Sequence, residues 1–143
     1  MNDTAKLMKE ICRGCKFATE SIEIAKGYAK GKEEIGQVLD YYGKEHEALK
    51  KRLSERIKEI GAEEYKNPKA AALMTKLHTN LTLTVNPEEA KIAELMINGC
   101  NMGIKSASKN KNKLSGASTE ARALADELIK TDQKMAGDLL RFL

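Results

Sequence analysis

The residues of this sequence whose types could carry chemistry begin with a Cys-x-x-Cys pair, Cys12 and Cys15. In a thioredoxin-like protein such a pair is a redox centre at the N-terminus of a helix that follows a strand. No strand is predicted before Cys12, and the pair falls inside a helical pattern where residues three apart lie on neighbouring faces. We therefore interpret both cysteines as reduced thiols packed as small apolar side chains.

A zinc site is the alternative interpretation of these thiols. Cys12, Cys15 and Cys100 together with His46 would supply three thiolates and one imidazole, a donor set that suits tetrahedral zinc. Zinc-thiolate sites more often use two closely spaced ligand pairs on turns, whereas this sequence has one such pair, and it is helical. The metal-free and zinc-bound interpretations both stay open at this point.

His46 and Asp132 interrupt two otherwise apolar stripes at related positions. Either the two side chains face each other in the interior, or each lies at the edge of its stripe and reaches solvent. If they meet, the carboxylate should raise the pKa of the histidine. The second histidine, His78, lies beside Lys76 and Asn80 and is expected at the surface.

Apolar residues spaced by threes and fours predict four helices, over about residues 4–30, 33–60, 87–112 and 119–142. Gly61 is a C-cap signal for the second helix, and Asn86 followed by Pro87 predicts the start of the third, with Asn as N-cap and Pro at the first helical position. Gly99 and Gly103 reduce helix propensity inside the third helix. We expect them where a neighbouring backbone comes close.

The connector over residues 62–86 lacks the periodicity of the helices. A short helical stretch is predicted around Leu73, Met74 and Leu77, and extended chain is predicted where Leu81, Leu83 and Val85 alternate with polar residues. The second helix, at about 28 residues, is roughly 40 Å long, a distance that such a connector can recross. The second and third helices should therefore run parallel.

An internal repeat relates the two halves of the chain. Gly14-Cys15-Lys16-Phe17-Ala18 matches Gly99-Cys100-Asn101-Met102-Gly103 in residue character. With a one-residue shift, a second match pairs four residues of the second helix with four of the fourth: Lys44, His46, Leu49 and Leu53 with Lys130, Asp132, Met135 and Leu139. The two matches indicate two related helical hairpins.

Two similar hairpins joined by a long crossover connection resemble the ferritin-like superfamily, as a bacterial branch that lacks the usual di-metal ligands. The resemblance implies an all-α, ferritin-like four-helix bundle. Metal enzymes of that superfamily carry a Glu on each of two helices and a Glu-x-x-His on each of the other two. Here Gly43 and Ile129 stand where the two Glu residues of those motifs are required, so the resemblance implies the fold and weakens the inference of a di-iron site.

Composition limits the function. A chain of 143 residues with 41% apolar side chains is predicted to form one domain over residues 1–143. The net charge of +4 is too small to indicate a nucleic-acid partner, and the lysines at 105, 109, 111 and 113 are typical of a solvated helix end. The charged N-terminus, the lack of an 18-residue apolar run and the odd number of cysteines predict a cytoplasmic protein with reduced thiols and no membrane association.

The sequence contains no catalytic signature. We therefore predict a non-enzymatic helical bundle that binds another protein or itself, without a cofactor. The alternative is a metal-binding protein with zinc or iron, whose candidate ligands are His46, Asp132, Cys12, Cys15 and Cys100.

Overall fold

The computed structural model describes residues 2–66, 75–81 and 87–143, and helices make up most of them. The four long helices are α1 (Asp3–Tyr28), α2 (Glu33–Glu59), α3 (Glu89–Lys113) and α4 (Thr119–Leu139). A 3-10 turn over Leu140–Phe142 follows α4, and residues 75–81 are also helical. Within these ranges there is no β-strand, and the predicted all-α class is confirmed.

Local sequence explains where most of these helices begin and end. The side chain of Asn2 accepts a hydrogen bond from the Ala5 amide at 2.8 Å and caps α1, and Ser118 caps α4 in the same way. Gly31 and Gly61, with φ of 80° and 74°, adopt the left-handed conformation that turns the chain after α1 and α2. Gly61 therefore acts at the C-terminus of α2 as predicted.

The predicted start of the third helix is wrong by two residues. Pro87 lies outside α3, and Glu88 occupies the N-cap position with an extended backbone. The fixed φ of proline is as compatible with that extended entry as with a first helical turn, so Pro87 did not determine the boundary. The predicted cap Asn86 lies outside the described residues, as do Leu73, Met74, Leu83 and Val85. Leu77 and Leu81 are both helical, so the extended pattern predicted from Leu81 onwards does not begin there.

Contacts between side chains give the directions of the helices. Arg52 and Arg56 of α2 bind Glu127 and Glu120 of α4, each at 2.6 Å, so α2 and α4 are antiparallel. Lys111 of α3 binds Asp126 of α4 at 2.6 Å, and the earlier residue Gly103 lies against the later residue Asp132, so α3 and α4 are also antiparallel. Consequently α2 and α3 run in the same direction, as the length of the connector predicts.

The core consists of two apolar clusters, one toward each end of the helices. The first includes Leu49 and Leu53 of α2 with Leu128 of α4, and the second includes Leu39 of α2 with Met135 of α4. Along α2 and α4 the buried residues between the two clusters are His46 and Asp132. A polar layer therefore separates the two apolar clusters.

Candidate functional site

The side chains of His46 and Asp132 form a hydrogen-bonded pair in the middle of the protein. The Nε2 atom of His46 lies 2.7 Å from Oδ1 of Asp132. The exposed fraction is 0% for His46 and 4% for Asp132, so neither residue lies at a solvated stripe edge. Of the two interpretations of these residues, the structure shows the one in which they face each other.

The second ring nitrogen of His46 fixes its protonation. Nδ1 lies 2.6 Å from the backbone carbonyl oxygen of Tyr42. A carbonyl oxygen only accepts hydrogen bonds, so Nδ1 must carry a hydrogen. The bond between Nε2 and Asp132 then requires one further proton, because without it two lone pairs would face each other. The pair therefore carries one proton more than a neutral histidine and an ionised aspartate carry together.

Electrostatics favour retention of that proton. Burial alone lowers the pKa of His46, but the hydrogen bond and charge of Asp132 outweigh it, and the pKa is raised above its usual value. Burial raises the pKa of Asp132, and the hydrogen bond and charge of His46 oppose this increase without cancelling it. With this one shared proton between Nε2 of His46 and Oδ1 of Asp132, the pair has no net charge.

A cavity of about 30 Å³ borders Asp132 between α1, α3 and α4. The absence of a side chain at Gly103 makes room for the Asp132 carboxylate, because a Cβ atom at that position would overlap with Oδ2. Gly99 also borders the cavity, but a Cβ atom there would meet nothing within 4 Å. The predicted close approach of a backbone is therefore wrong for both glycines: the close neighbour of Gly103 is a side chain, and Gly99 has none. The cavity keeps a small open space beside a buried carboxylate.

Three sulfur-containing side chains line the same cavity: Met96, Cys100 and Met135. Apolar spacing places both methionines on helix stripes but does not predict this grouping. The signal was present as Met96-x-x-x-Cys100 and Asp132-x-x-Met135, because residues three or four apart share a helix face. Periodicity alone does not distinguish a methionine that fills the core from one that borders a cavity.

The three cysteines are reduced, buried and divided between the two clusters. Cys12 and Cys15 belong to the first cluster, and Cys100 belongs to the second. Burial raises the pKa of Cys12 to about 11 and that of Cys100 to about 12, and it also raises the pKa of Cys15. All three are therefore protonated thiols at neutral pH, in agreement with their interpretation as packed apolar groups.

The zinc set proposed from sequence is not brought together. Cys12 donates a hydrogen bond to Glu64 Oε1 at 3.1 Å and contacts Ser54 at 3.7 Å, while His46 binds Asp132. In residues 2–66, 75–81 and 87–143 no three His, Cys, Asp or Glu side chains are grouped so that they could hold a metal ion.

The positions that hold di-metal ligands in ferritin-like enzymes do not fit such a centre here. A Cβ atom at Gly43 would lie 3.2 Å from Ile22 Cγ2, which leaves little room for a glutamate. Ile129 packs against the first apolar cluster, and the Nε2 atom of His46 is occupied by Asp132. His46 and Asp132 form a proton-sharing pair, whereas a di-metal centre requires carboxylates and imidazoles that are free to bind metal.

Large apolar side chains are exposed on the part of α2 and the end of α4 that the contact between Tyr42 and Asp138 joins. Tyr41, Leu140 and Leu143 are 57%, 57% and 63% exposed. The Tyr41 ring packs edge-on against Tyr42, whose hydroxyl donates to Asp138 Oδ2 at 2.5 Å, so this contact joins α2 to the end of α4. We refer to Tyr41, Leu140 and Leu143 as the apolar end.

The remaining sequence candidates lie at the surface. His78 is exposed, as predicted, and its ring contacts that of Tyr28 at a centroid distance of 5.7 Å. Lys105, Lys109 and Lys113 are exposed, whereas Lys111 binds Asp126.

None of the helices in the described part of the chain is both long and apolar enough to cross a membrane. Comparison with known protein families, with curated proteins and with solved structures gives no significant match for this chain.

Proposed function

We propose that this protein is a non-enzymatic helical bundle that functions by self-association through its apolar end. The observation that carries the proposal is the exposure of Tyr41, Leu140 and Leu143 at one end of the molecule. Large apolar side chains grouped on a surface are typical of protein contact sites. Tyrosine supports such a role in particular, because its large ring buries apolar area and keeps a polar hydroxyl.

The charges around the apolar end favour a second copy of the chain as its binding partner. Asp138 and Arg141 are exposed beside Leu140, and Lys44 and Glu45 are exposed beyond Tyr41. In a two-fold symmetric contact each patch meets its own copy, so a surface that carries both signs of charge can pair with itself. The net charge of +4 is small for a chain of this length, and two copies would repel each other only weakly.

We further propose that the fold is a member of the ferritin-like group in a form without the di-metal centre. Support comes from the helix directions, since α2 and α3 run in the same direction and each is antiparallel to α4. The described parts of the connector agree with this topology. Tyr65 lies beside Lys9 near the start of α1, whereas His78 lies beside Tyr28 at its end.

The test is the mass of the protein in solution, measured by light scattering after size-exclusion chromatography. We expect a dimer at micromolar concentration, and a monomer when Tyr41→Glu and Leu140→Glu are combined, because a charge in the contact would have to be buried unpaired. Met102→Glu is the matched control, since Met102 is also an exposed apolar residue, at 47%, but lies on α3. A monomeric parent protein, or a dimer that only Met102→Glu disrupts, would overturn the proposal.

A further inference from the structure

The cavity beside Asp132 has the donor chemistry of a site for a soft metal ion. Met96 and Cys100 of α3 and Met135 of α4 line it together, and these are 4%, 5% and 1% exposed. The residues that border this space of about 30 Å³ thus carry two thioethers and one thiol, and the space is large enough for one small ion or one water molecule. A close-packed core would fill that space with side-chain atoms.

Helix geometry explains why these groups share one cavity. Met96 and Cys100 are four residues apart, so they lie on one face of α3. Asp132 and Met135 are three residues apart and share a face of α4, and α3 packs against α4. Gly99 and Gly103 border the cavity without side chains that would fill it.

We propose that this cavity binds one copper(I) ion through the sulfur atoms of Met96, Cys100 and Met135. Thiolate and thioether sulfur are soft donors, and copper(I) is the biological ion that accepts thioethers readily as ligands. Zinc and the harder divalent ions prefer imidazole, carboxylate or several thiolates, and only one thiol borders this cavity. The proposal is independent of self-association, because it rests on interior residues and not on the apolar end.

Binding requires the release of one proton and no transfer of electrons. The S–H bond of Cys100 breaks, a sulfur–copper bond forms, and the proton leaves to solvent. Copper must arrive in the reduced, monovalent state, since nothing in the binding step reduces it.

The titratable groups that face Asp132 include one from each neighbouring helix. They are Cys15 of α1, His46 of α2 and Cys100 of α3. Because His46 and Asp132 form a neutral pair, the thiolate of Cys100 supplies the negative charge that balances copper(I). Binding should therefore strengthen as pH rises, because one proton is released for each ion bound.

The test is a titration of the reduced, full-length chain with copper(I) against a chromogenic copper(I) chelator, with zinc(II) titrated in parallel. We expect about one equivalent of copper(I) per chain, and sulfur-only scattering in X-ray absorption spectra. Met96→Leu and Met135→Leu keep the apolar volume and should each weaken binding by about tenfold or more. Cys100→Ser should abolish competition with the chelator.

Two control variants separate this cavity from other sulfur atoms in the chain. Met8→Leu changes a methionine that is equally buried, at 1% exposure, but belongs to the other apolar cluster. Cys12→Ser changes a thiol of the Cys-x-x-Cys pair. Both should bind copper(I) as the parent protein does. The proposal is overturned if the parent does not compete with the chelator, if zinc binds equally well, if Met135→Leu binds like the parent, or if Cys12→Ser removes binding.

Discussion

Gly103 of α3 leaves free the space that the carboxylate of Asp132 enters from α4. A Cβ atom on residue 103 would overlap with Oδ2 of Asp132, while the other carboxylate oxygen is held by His46 at 2.7 Å. Because the carboxylate is fixed on one side by the histidine, it cannot rotate away from a new methyl group without losing that hydrogen bond. The missing side chain on α3 thus allows a polar contact between α4 and α2.

The Gly103→Ala variant should accordingly be less stable than the parent protein. Alanine improves helix propensity by about 1 kcal/mol, but overpacking against a held carboxylate costs about 1–3 kcal/mol and weakens the His46 bond. We expect a net loss of about 1–2 kcal/mol in the free energy of unfolding, measured by urea denaturation at neutral pH.

Gly99→Ala provides the matched control for this prediction. It lies on the same helix, and a Cβ atom there would meet nothing within 4 Å, so only the gain in helix propensity remains. We expect this variant to be as stable as the parent or more stable by up to about 1 kcal/mol. Equal effects of the two substitutions would contradict the close contact between Gly103 and Asp132.

Asp132→Asn should lower the pKa of His46. The substitution removes the charge and keeps the size of the side chain, so the effect of burial, which lowers the pKa, is no longer outweighed. Titration of the histidine ring signals by NMR measures the change, with the signals assigned from a His78→Gln variant. An unchanged His46 titration curve in Asp132→Asn would show that the carboxylate does not control its protonation.

The pair should also make the protein less stable as pH rises above neutrality. The pKa of His46 is raised in the folded state. Its contribution to the free energy of unfolding is therefore complete below the pKa of the unfolded state, about 6.5, and is lost as pH rises through the pKa of the folded state. The raised pKa of Asp132 acts with the same sign, because folding then takes up protons.

Urea denaturation of the parent and of Asp132→Asn between mildly acidic and mildly alkaline pH tests this dependence. At mildly acidic pH the free energy of unfolding of the parent should exceed that of the variant by about 3 kcal/mol, since removal of one partner breaks a buried pair. The difference should shrink toward high pH. A difference that grows with pH would contradict the raised pKa of His46.

Sequence patterns predicted the parts of this fold that depend on local periodicity. Apolar spacing predicted four helices, and Gly61 marked the end of α2, because helix faces and left-handed turns are determined by residues that are close in sequence. The meeting of His46 and Asp132 was one of two open interpretations. It could be inferred because both residues interrupt apolar stripes at positions related by the internal repeat.

Features that depend on three-dimensional packing could not be predicted from these sequence patterns. Gly99 and Gly103 are equivalent in sequence terms, yet only Gly103 faces a side chain that would overlap with a Cβ atom. Three of the four proposed zinc ligands are cysteines, but Cys12 and Cys15 lie in one apolar cluster and Cys100 lies in the other. Pro87 marked the region where α3 begins without fixing its first residue, because its backbone angle suits the extended chain before the helix as well.

The thiol of Cys12 is covered by the chain that follows α2. Glu64 accepts a hydrogen bond from Cys12 at 3.1 Å, and burial together with this carboxylate raises the pKa of the thiol to about 11. Glu64→Ala would remove both the covering side chain and the nearby negative charge, and the positive charge of Lys16 would remain near the thiol. Alkylation of Cys12 at mildly alkaline pH should then become about tenfold faster, because the thiolate is the reactive form.

Mass spectrometry of the alkylated peptides measures each cysteine separately, so Cys15 and Cys100 serve as internal controls and should stay slow. Glu63→Ala is the matched variant, since Glu63 is the exposed neighbour of Glu64 in the same segment. It should leave the rate at Cys12 unchanged. If Glu63→Ala accelerates alkylation as much as Glu64→Ala does, the cause is loosening of the whole segment. The hydrogen bond from Cys12 to Glu64 would then not be what protects the thiol.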